Sequence, residues 1–150
     1  MSDDLTEARG LAMTDEEVDA FLRERGYGTL ALSDGGRSYA VPVSFGYDAE
    51  RRRCYLSLVR FGDASEKLAY AETTAEAALL CSAVESRFAW RSVLVRGPLE
   101  PVPDDERDHA EAVMDDNAWF PSLFYQGPIT GVERFALEMK QVSGRQAGGE

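Results

Sequence analysis

Lysine, histidine and cysteine are all scarce in this chain of 150 residues, which has two lysines (Lys67 and Lys140), one histidine (His109) and two cysteines (Cys54 and Cys81). No apolar run approaches the roughly 20 residues of a membrane-spanning helix, and the first residues lack the basic and apolar regions of a secretory signal. We therefore expect a cytoplasmic protein without membrane partners. Because no second cysteine stands at C-x-x-C spacing, the two cysteines are predicted to be buried core residues in a reducing compartment.

The usual catalytic patterns are also missing. His109 lies among Asp105, Asp108 and Glu111, whose charges stabilise a protonated imidazole, so the pattern favours an exposed helical histidine over a general base. The chain has no Gly-x-Ser-x-Gly motif, no complete Gly-x-Gly-x-x-Gly motif, and no run of histidines and cysteines spaced for a metal. The sequence therefore assigns no catalytic residue and predicts no metal site.

Positive charge is in short supply, with 16 basic residues against 27 acidic ones and a formal net charge of −11. A protein that binds the phosphate backbone of nucleic acids needs a basic face, so this balance argues against nucleic acid as a partner. The acids are scattered rather than grouped, which favours a solvated, salt-adapted acidic surface over a docking site for a cationic partner.

The apolar content of 44% and the length predict one domain over residues 1–150, which would bury roughly 70% of its unfolded surface. The periodicity predicts a mainly β (α+β) fold, a six-stranded antiparallel split β-barrel with short peripheral helices. The predicted strands cover residues 27–33, 38–47, 53–59, 76–84, 90–99 and 133–139, and the predicted helices cover 14–26, 65–72 and 104–116. The strand at 76–84 is expected to be buried on both faces, residues 60–64 to form a loop, and residues 1–12 and 144–150 to be loose termini.

One segment suits a phosphate group. Ser65-Glu-Lys67 opens a predicted helix, where unpaired N–H groups and the positive end of the helix dipole favour an anion. Ser65 would add a hydroxyl, Lys67 a charge, and Arg60 a two-pronged guanidinium from the preceding loop. The alternative is a capped surface helix in which Ser65 is the N-cap and Lys67 is merely solvated.

An ordered set of motifs gives this segment a context. In chain order they are Tyr39-Ala-Val-Pro-Val-Ser-Phe-Gly-Tyr47, Tyr55-Leu-Ser-Leu58, Ser65-x-Lys67, Ser92-Val-Leu-Val-Arg-Gly97 and Arg134-Phe-Ala-Leu-Glu138. The set resembles the pyridoxamine 5′-phosphate oxidase-like, FMN-binding split-barrel family, and within it the nitroimidazole-resistance-type branch. The resemblance extends from about residue 13 to residue 145.

The resemblance implies a homodimer that holds FMN in grooves between its subunits. The residues it implies around the isoalloxazine ring are Val41, Val43, Ser44, Ser57 and Leu58, with Ser65 and Lys67 at the phosphate and Trp90 and Ser92 approaching from the same chain or its partner. For Val41, Val43 and Leu58 the alternative is plain barrel core. Trp90 and Trp119 are alternatively anchors of the dimer interface.

The implied activity is that of an oxidoreductase, a flavin-dependent reductase of a small electron-poor compound. Ser57 stands where members of the nitroimidazole-resistance branch often carry histidine, and the substrate segment of true pyridoxamine phosphate oxidases is not recognisable, so oxidation of vitamin B6 is not expected. Three alternatives stay open: a non-enzymatic flavin or haem carrier, a cofactor-free dimer, and a deazaflavin in place of FMN.

Overall fold

The computed structural model describes residues 10–60, 71, 74–117 and 131–148. The strands are β1 Leu11–Ala12, β2 Tyr27–Asp34, β3 Arg37–Asp48, β4 Arg53–Arg60, β5 Ala77–Ser86, β6 Ala89–Gly97, β7 Leu99–Pro101, β8 Gly131–Glu138 and β9 Gln141–Ala147. The helices are α1 Asp15–Arg25 and α2 Arg107–Asn117, and a 3-10 turn over Asp104–Glu106 leads into α2. The strands follow the order β1-β9-β6-β5-β2-β3-β4-β8-β7, and their pairings are antiparallel.

The prediction of a mainly β, antiparallel fold is confirmed, whereas the predicted number of six strands is too low for the described residues. The six predicted strands correspond to β2, β3, β4, β5, β6 and β8. Gly97 and Pro98 separate the short β7 from β6, because proline has no N–H with which to continue the ladder. Within the described ranges no helix is long and apolar enough to cross a bilayer.

The described residues near the two ends of the chain are more ordered than predicted. Residues 144–147 were expected to be loose, but they belong to β9, which pairs with β6 from Gln141 opposite Arg96 to Ala147 opposite Trp90. Leu11 and Ala12 in turn pair with β9. A strand such as β9 is stabilised by backbone hydrogen bonds to its neighbours, which polar residues form as well as apolar ones. It therefore shows no apolar alternation from which the sequence could predict it.

Strand β5 was expected to be buried on both faces, and this prediction is wrong. Ala77, Leu79 and Cys81 are buried, whereas Leu80 and Val84 on the other face are 44% and 74% exposed. An unbroken apolar run is typical of a strand covered on two sides, so the sequence indicated a second cover that the described residues do not supply.

Helix α1 packs its apolar face against the main core. Its predicted capping box is present, since Thr14 Oγ1 accepts a hydrogen bond from the Glu17 N–H at 3.1 Å and Glu17 Oε1 accepts one from the Thr14 N–H at 2.8 Å. Gly26 ends the helix with φ 69°, in the left-handed region that glycine adopts without strain. Val18, Phe21 and Leu22 point from this helix into the core.

The main core lies between the inward faces of the strands. It contains the two cysteines, whose predicted burial is confirmed, and larger side chains such as Leu30, Phe45 and Leu56. The predicted helix at 65–72 lies outside the described residues except for Ala71, and the aromatic segment around Trp119 also lies outside them. Of the predicted loop at 60–64, Arg60 is instead the last residue of β4.

Helix α2 packs on the outer face of the sheet and makes a second, smaller core. Ala110 contacts the buried side chains of Tyr55 on β4 and Ala136 on β8, with Val113 and Met114 beside them. The helix approaches the sheet closely at Gly46 of β3. A Cβ atom on Gly46 would lie 2.6 Å from Met114 Cα and 2.7 Å from Met114 N.

We predict that Gly46→Ala destabilises the protein by about 1 to 3 kcal/mol, because the added methyl group collides with the helix backbone, which is harder to displace than a side chain. Chemical denaturation measures the change. Ser38→Ala, at an exposed position of the same strand, is the matched control and should leave stability nearly unchanged. Equal stability of the two variants would contradict this packing.

Candidate functional site

The residues predicted to line a flavin ring divide between the two faces of β3 and β4. Side chains alternate along a strand, and Val41, Val43 and Leu58 point inward, where they are buried in the main core. Their side chains are therefore part of the barrel core, which was the alternative to a place around the flavin ring. A molecule bound on the outer face would meet only their backbone.

Ser44 and Ser57 lie on the outer face, and Ser57 is next to the carboxyl-terminal half of α2. The β3–β4 pairing ends at Phe45 opposite Leu56, and Ser44 pairs instead with Tyr27 of β2. The Ser57 hydroxyl lies 3.8 Å from Met114 Sδ, a weak acceptor. Ser44 is only 1% exposed, and its hydroxyl has no hydrogen-bond partner among the described residues.

Polar contacts to three strands hold α2 and its 3-10 turn against this face. His109 Nε2 lies 2.7 Å from Asp48 Oδ2 on β3, and Arg53 Nη1 on β4 lies 2.9 Å from Glu106 Oε1. The third contact joins Arg134 on β8 to Glu111 of the helix, again at 2.9 Å. The sequence located His109 on an acidic helix but not its partner, since Asp48 lies far away in the chain.

Asp48 combines burial with two hydrogen bonds. Burial by itself would raise the pKa of this carboxyl, but the hydrogen bonds from His109 and from the Arg51 N–H outweigh it and hold the pKa of Asp48 below its ordinary value of 3.8. The ionised carboxylate is therefore the form that fastens the start of α2. Tyr55 supports the imidazole from below, with its ring edge-on to His109 at a centroid distance of 5.8 Å.

Trp90 and Ser92 lie on another part of the sheet. Both are on β6, which is separated from β3 by β5 and β2. Neighbouring strands lie about 4.8 Å apart, so β6 is about 14 Å from β3 within one chain. The same copy of the chain does not bring Trp90 or Ser92 to Ser44.

The predicted phosphate-binding residues are only partly visible. Arg60 ends β4 and pairs through its backbone with Gly131. Ser65 and Lys67 lie outside the described residues, so their role at a phosphate remains a prediction from the sequence.

A groove of about 900 Å³ lies elsewhere, between the start of α1 and strand β9. It has none of the predicted site residues, and its charged lining is mixed: Asp15, Glu16, Asp19, Arg52, Lys140 and Arg145. Such a lining favours neither an anion nor a cation. Within the described part of the chain, no group of three or more histidine, cysteine or acidic side chains is arranged to hold a metal ion.

Next to Ser44 the outer surface of the sheet has exposed, largely apolar side chains. We call this surface the open sheet face. It comprises the outward side chains of β3, β2 and β5, namely Ala40, Pro42, Thr29, Ala31, Leu80, Ser82 and Val84. Pro42 and Ser44 are consecutive outward positions of β3, so the open sheet face begins where the cover provided by α2 ends.

Known proteins resemble this chain over most of its length. A family model described as pyridoxamine 5′-phosphate oxidase matches residues 14–146. A protein of Rhizobium meliloti (strain 1021), named only as the uncharacterised protein RA0666, is 24% identical over 147 residues that cover 90% of this chain and 93% of that protein.

Solved structures share the fold at lower identity. An FAD-binding protein of Mesorhizobium loti superposes with a TM-score of 0.72 at 22% identity, covering 93% of this chain and 99% of its own. A proposed 5-nitroimidazole antibiotic resistance protein of Bacteroides thetaiotaomicron gives 0.70 at 18% identity, with coverages of 92% and 87%. A protein of Mycobacterium smegmatis that binds FAD and haem gives 0.69 at 21% identity, with coverages of 91% and 72%.

We predict that Asp48→Asn lowers the free energy of unfolding at neutral pH by about 1 to 2 kcal/mol, because the charge-assisted bond to His109 is lost. The pKa of Asp48 is lower in the folded protein than in the unfolded chain, so the folded state binds fewer protons. The stability due to Asp48 is therefore complete above pH 3.8 and is lost as pH falls through the lower folded value.

Denaturant titrations of the unmodified protein and Asp48→Asn, from neutral pH to below pH 3.8, measure the difference in their free energies of unfolding. Glu50→Gln, an exposed change in the neighbouring turn, is the control and should match the unmodified protein throughout. A stability difference that does not change with pH would contradict the linkage.

Proposed function

Because the chain belongs to the pyridoxamine 5′-phosphate oxidase family, we propose that it binds FMN in a groove between two copies of itself and acts as a flavin-dependent reductase. The observation that carries this proposal is the hydroxyl of Ser44, which is buried without a partner among the described residues. It lies on the motif strand, at the border between the helix cover and the open sheet face. A buried hydroxyl without a partner costs about 1 to 3 kcal/mol, which a ligand acceptor would recover.

The residues of the outer face fit a flat ring with polar edges. Ser44 and Ser57 would donate hydrogen bonds to ring acceptors, and the backbone of Val41, Val43 and Leu58 would border the ring. Arg60, Ser65 and Lys67 would hold the phosphate, supplying local positive charge in a protein of net charge −11. When bound, the flavin supplies the redox chemistry, transferring hydride or electrons, while the protein sets its position and surroundings.

The open sheet face supports a homodimer. Leu80 and Val84 are large apolar side chains on an exposed surface of a chain that is otherwise strongly charged. A second copy covering this face would also explain the apolar outward side of β5. Since Trp90 and Ser92 are too far from Ser44 in the same chain, any contact they make with the cofactor would come from the partner.

The substrate is proposed to be a small electron-poor compound. Of the side chains described around Ser44, none is placed as a free acid or base, because His109 is bonded to Asp48 and Arg134 to Glu111. Activity would thus depend mainly on the flavin. A flavin carrier without turnover is the alternative, and steady-state oxidation of reduced nicotinamide with an electron acceptor separates the two.

Haem is a second candidate, because one structural neighbour is named for binding both FAD and haem. Three potential haem ligands of this chain are poorly placed for it. The single histidine is held by Asp48, and both cysteines are in the core, where burial raises the pKa of Cys81 to about 12 and that of Cys54 further still. These contacts support flavin over haem.

The first test is the visible spectrum of the purified protein with added FMN, FAD or haem. For FMN we expect flavin bands near ~370 and ~450 nm and a melting temperature that rises with the FMN concentration. A single sharp band near ~410 nm would favour haem instead. A colourless protein whose melting is indifferent to FMN and FAD would overturn the proposal.

We predict that Lys67→Ala weakens FMN binding about tenfold, because one charge-assisted contact to the phosphate is removed. Riboflavin, which has the same ring without a phosphate, should bind both proteins equally in a fluorescence titration. Lys140→Ala is the matched control, since it removes the other lysine of the chain. Unchanged FMN affinity in Lys67→Ala would remove the phosphate assignment.

We predict that Leu80→Glu converts a dimer into a monomer, because it places a charge in the middle of the open sheet face. Light scattering after size-exclusion chromatography measures the mass. Leu11→Glu is the control, since Leu11 is an equally apolar exposed residue (62%) on β1, an edge strand outside the open sheet face. Identical masses for the two variants would contradict this interface.

A further inference from the structure

The groove of about 900 Å³ between α1 and β9 borders an edge of the sheet. We call it the edge groove. Strand β1 pairs with β9 only at Gln146 and Arg145, and the Met13 N–H then donates to the Gly144 carbonyl at 2.9 Å before the chain enters α1. Residues 141–143 of β9 line the groove, and the described residues place no strand beside them on this side.

Val142 directs its backbone N–H and C=O toward this side of the strand. Residues two apart on a strand direct these groups to the same side, and the Gly144 carbonyl faces β1 rather than β6. Val142 therefore presents one donor and one acceptor along the edge groove. An unpaired edge of this kind can bind an extended peptide as an additional strand.

One end of the edge groove is acidic. Asp15 and Glu16, the first two residues of α1, line it close to Met13, which is bonded to Gly144. Arg145 also lines the groove, but a Cβ atom on Gly144 would face Met13 and α1, so alternation directs the neighbouring Arg145 side chain to the other face of β9. We call the region of Asp15 and Glu16 the acidic end.

The other end of the groove, where β9 begins, is basic. Lys140 lies in the turn before β9, and its contact with Glu138, at 3.4 Å, is exposed. Arg52 is held at the same turn, because its Nη2 donates to the Met139 carbonyl at 3.3 Å. Its backbone has φ 54°, in the left-handed region that is unfavourable for a residue with a side chain. We call the region of Lys140 and Arg52 the basic end.

The two ends do not neutralise each other. Asp19, a third acid of the groove, accepts a hydrogen bond from the Tyr47 hydroxyl. Asp15, Glu16 and Arg52 have no ion-pair partner among the described residues. A bound molecule with a positive group at one end and a negative group at the other would therefore meet an unpaired charge of opposite sign at each end.

We propose that the edge groove binds a short peptide with free amino and carboxyl ends, as an additional strand antiparallel to β9. The described pairings of the sheet are antiparallel, and this direction continues that of β1. The peptide then runs from the acidic end to the basic end, so its ammonium group meets the carboxylates and its carboxylate meets the cations. Residues 141–143 set its length at about three residues. A parallel peptide would place each of its charges beside a charge of the same sign.

The first experiment titrates the full chain with the tripeptide alanyl-leucyl-alanine and follows the backbone amides by NMR. We expect a dissociation constant of about 1 mM and slower hydrogen exchange at the Val142 amide. The N-acetylated and the C-amidated tripeptides should each bind about tenfold more weakly, because each lacks one charge. Equal binding of the three forms, or no binding of the free tripeptide at millimolar concentration, overturns the proposal.

Variants test which end of the peptide each charge meets. Lys140→Ala should weaken the free tripeptide about tenfold and leave the affinity of the C-amidated form unchanged. Asp15→Asn combined with Glu16→Gln should weaken the free form and leave the N-acetylated form unchanged. Arg37→Ala, which removes an exposed cation from the start of β3, is the control and should bind all three forms like the unmodified protein.

The opposite pairing of variants and peptide forms would overturn the antiparallel direction and with it the proposal. Equal weakening in Arg37→Ala would assign the effect to net charge and also overturn it. Should Lys140→Ala not fold, Arg52→Gly carries the same test, because glycine adopts φ 54° without strain. Unchanged affinity for the free tripeptide in that variant would then overturn the proposal. None of these outcomes depends on a flavin, so the proposed function is tested separately.

Discussion

The alternation of side chains along β3 is the constraint on which the rest of the structure depends. Val41, Val43 and Phe45 point inward and fill the barrel, while Pro42, Ser44 and Gly46 point outward. A shift of the strand by one residue would exchange the two sets, burying Ser44 in the core and exposing the valines. Packing of the core thus fixes the position of the outward residues, and a site on the outer face acquires its rigidity from the core behind it.

Helix α2 divides the outer face into a covered part and an open part. It can approach the sheet closely because Gly46 has no side chain, and contacts from β3, β4 and β8 fasten it. Two of these are arginine–glutamate pairs at the border of the helix, where they are partly exposed and weaken with salt. The apolar contact of Ala110 with Tyr55 and Ala136 does not depend on salt in this way. The expected adaptation of the acidic surface to concentrated salt stays a prediction.

The contacts of α2 also show why the sequence identified some residues but not the partners that they bind. The period of three to four residues predicted the helix, and the scarcity of histidine drew attention to His109. Its bond to Asp48 and the bond of Arg134 to Glu111 join parts of the chain that no local pattern relates. Strand β9 was missed for a related reason, because its stability comes from backbone pairing with β6, which polar residues support as well as apolar ones.

The sequence by itself determined the mainly β class, the family, the capped first helix and the burial of both cysteines. These follow from local periodicity, from capping chemistry and from an ordered set of short motifs. Only the tertiary structure decided which motif residues face outward. It placed Val41, Val43 and Leu58 in the core and left Ser44 and Ser57 on the outer face, with Ser44 three strands and Ser57 four strands from Trp90. A motif states only which residues are present. Which face of the sheet a residue lies on, and which residue lies opposite it, depend on register and strand order. These are set by contacts between distant parts of the chain.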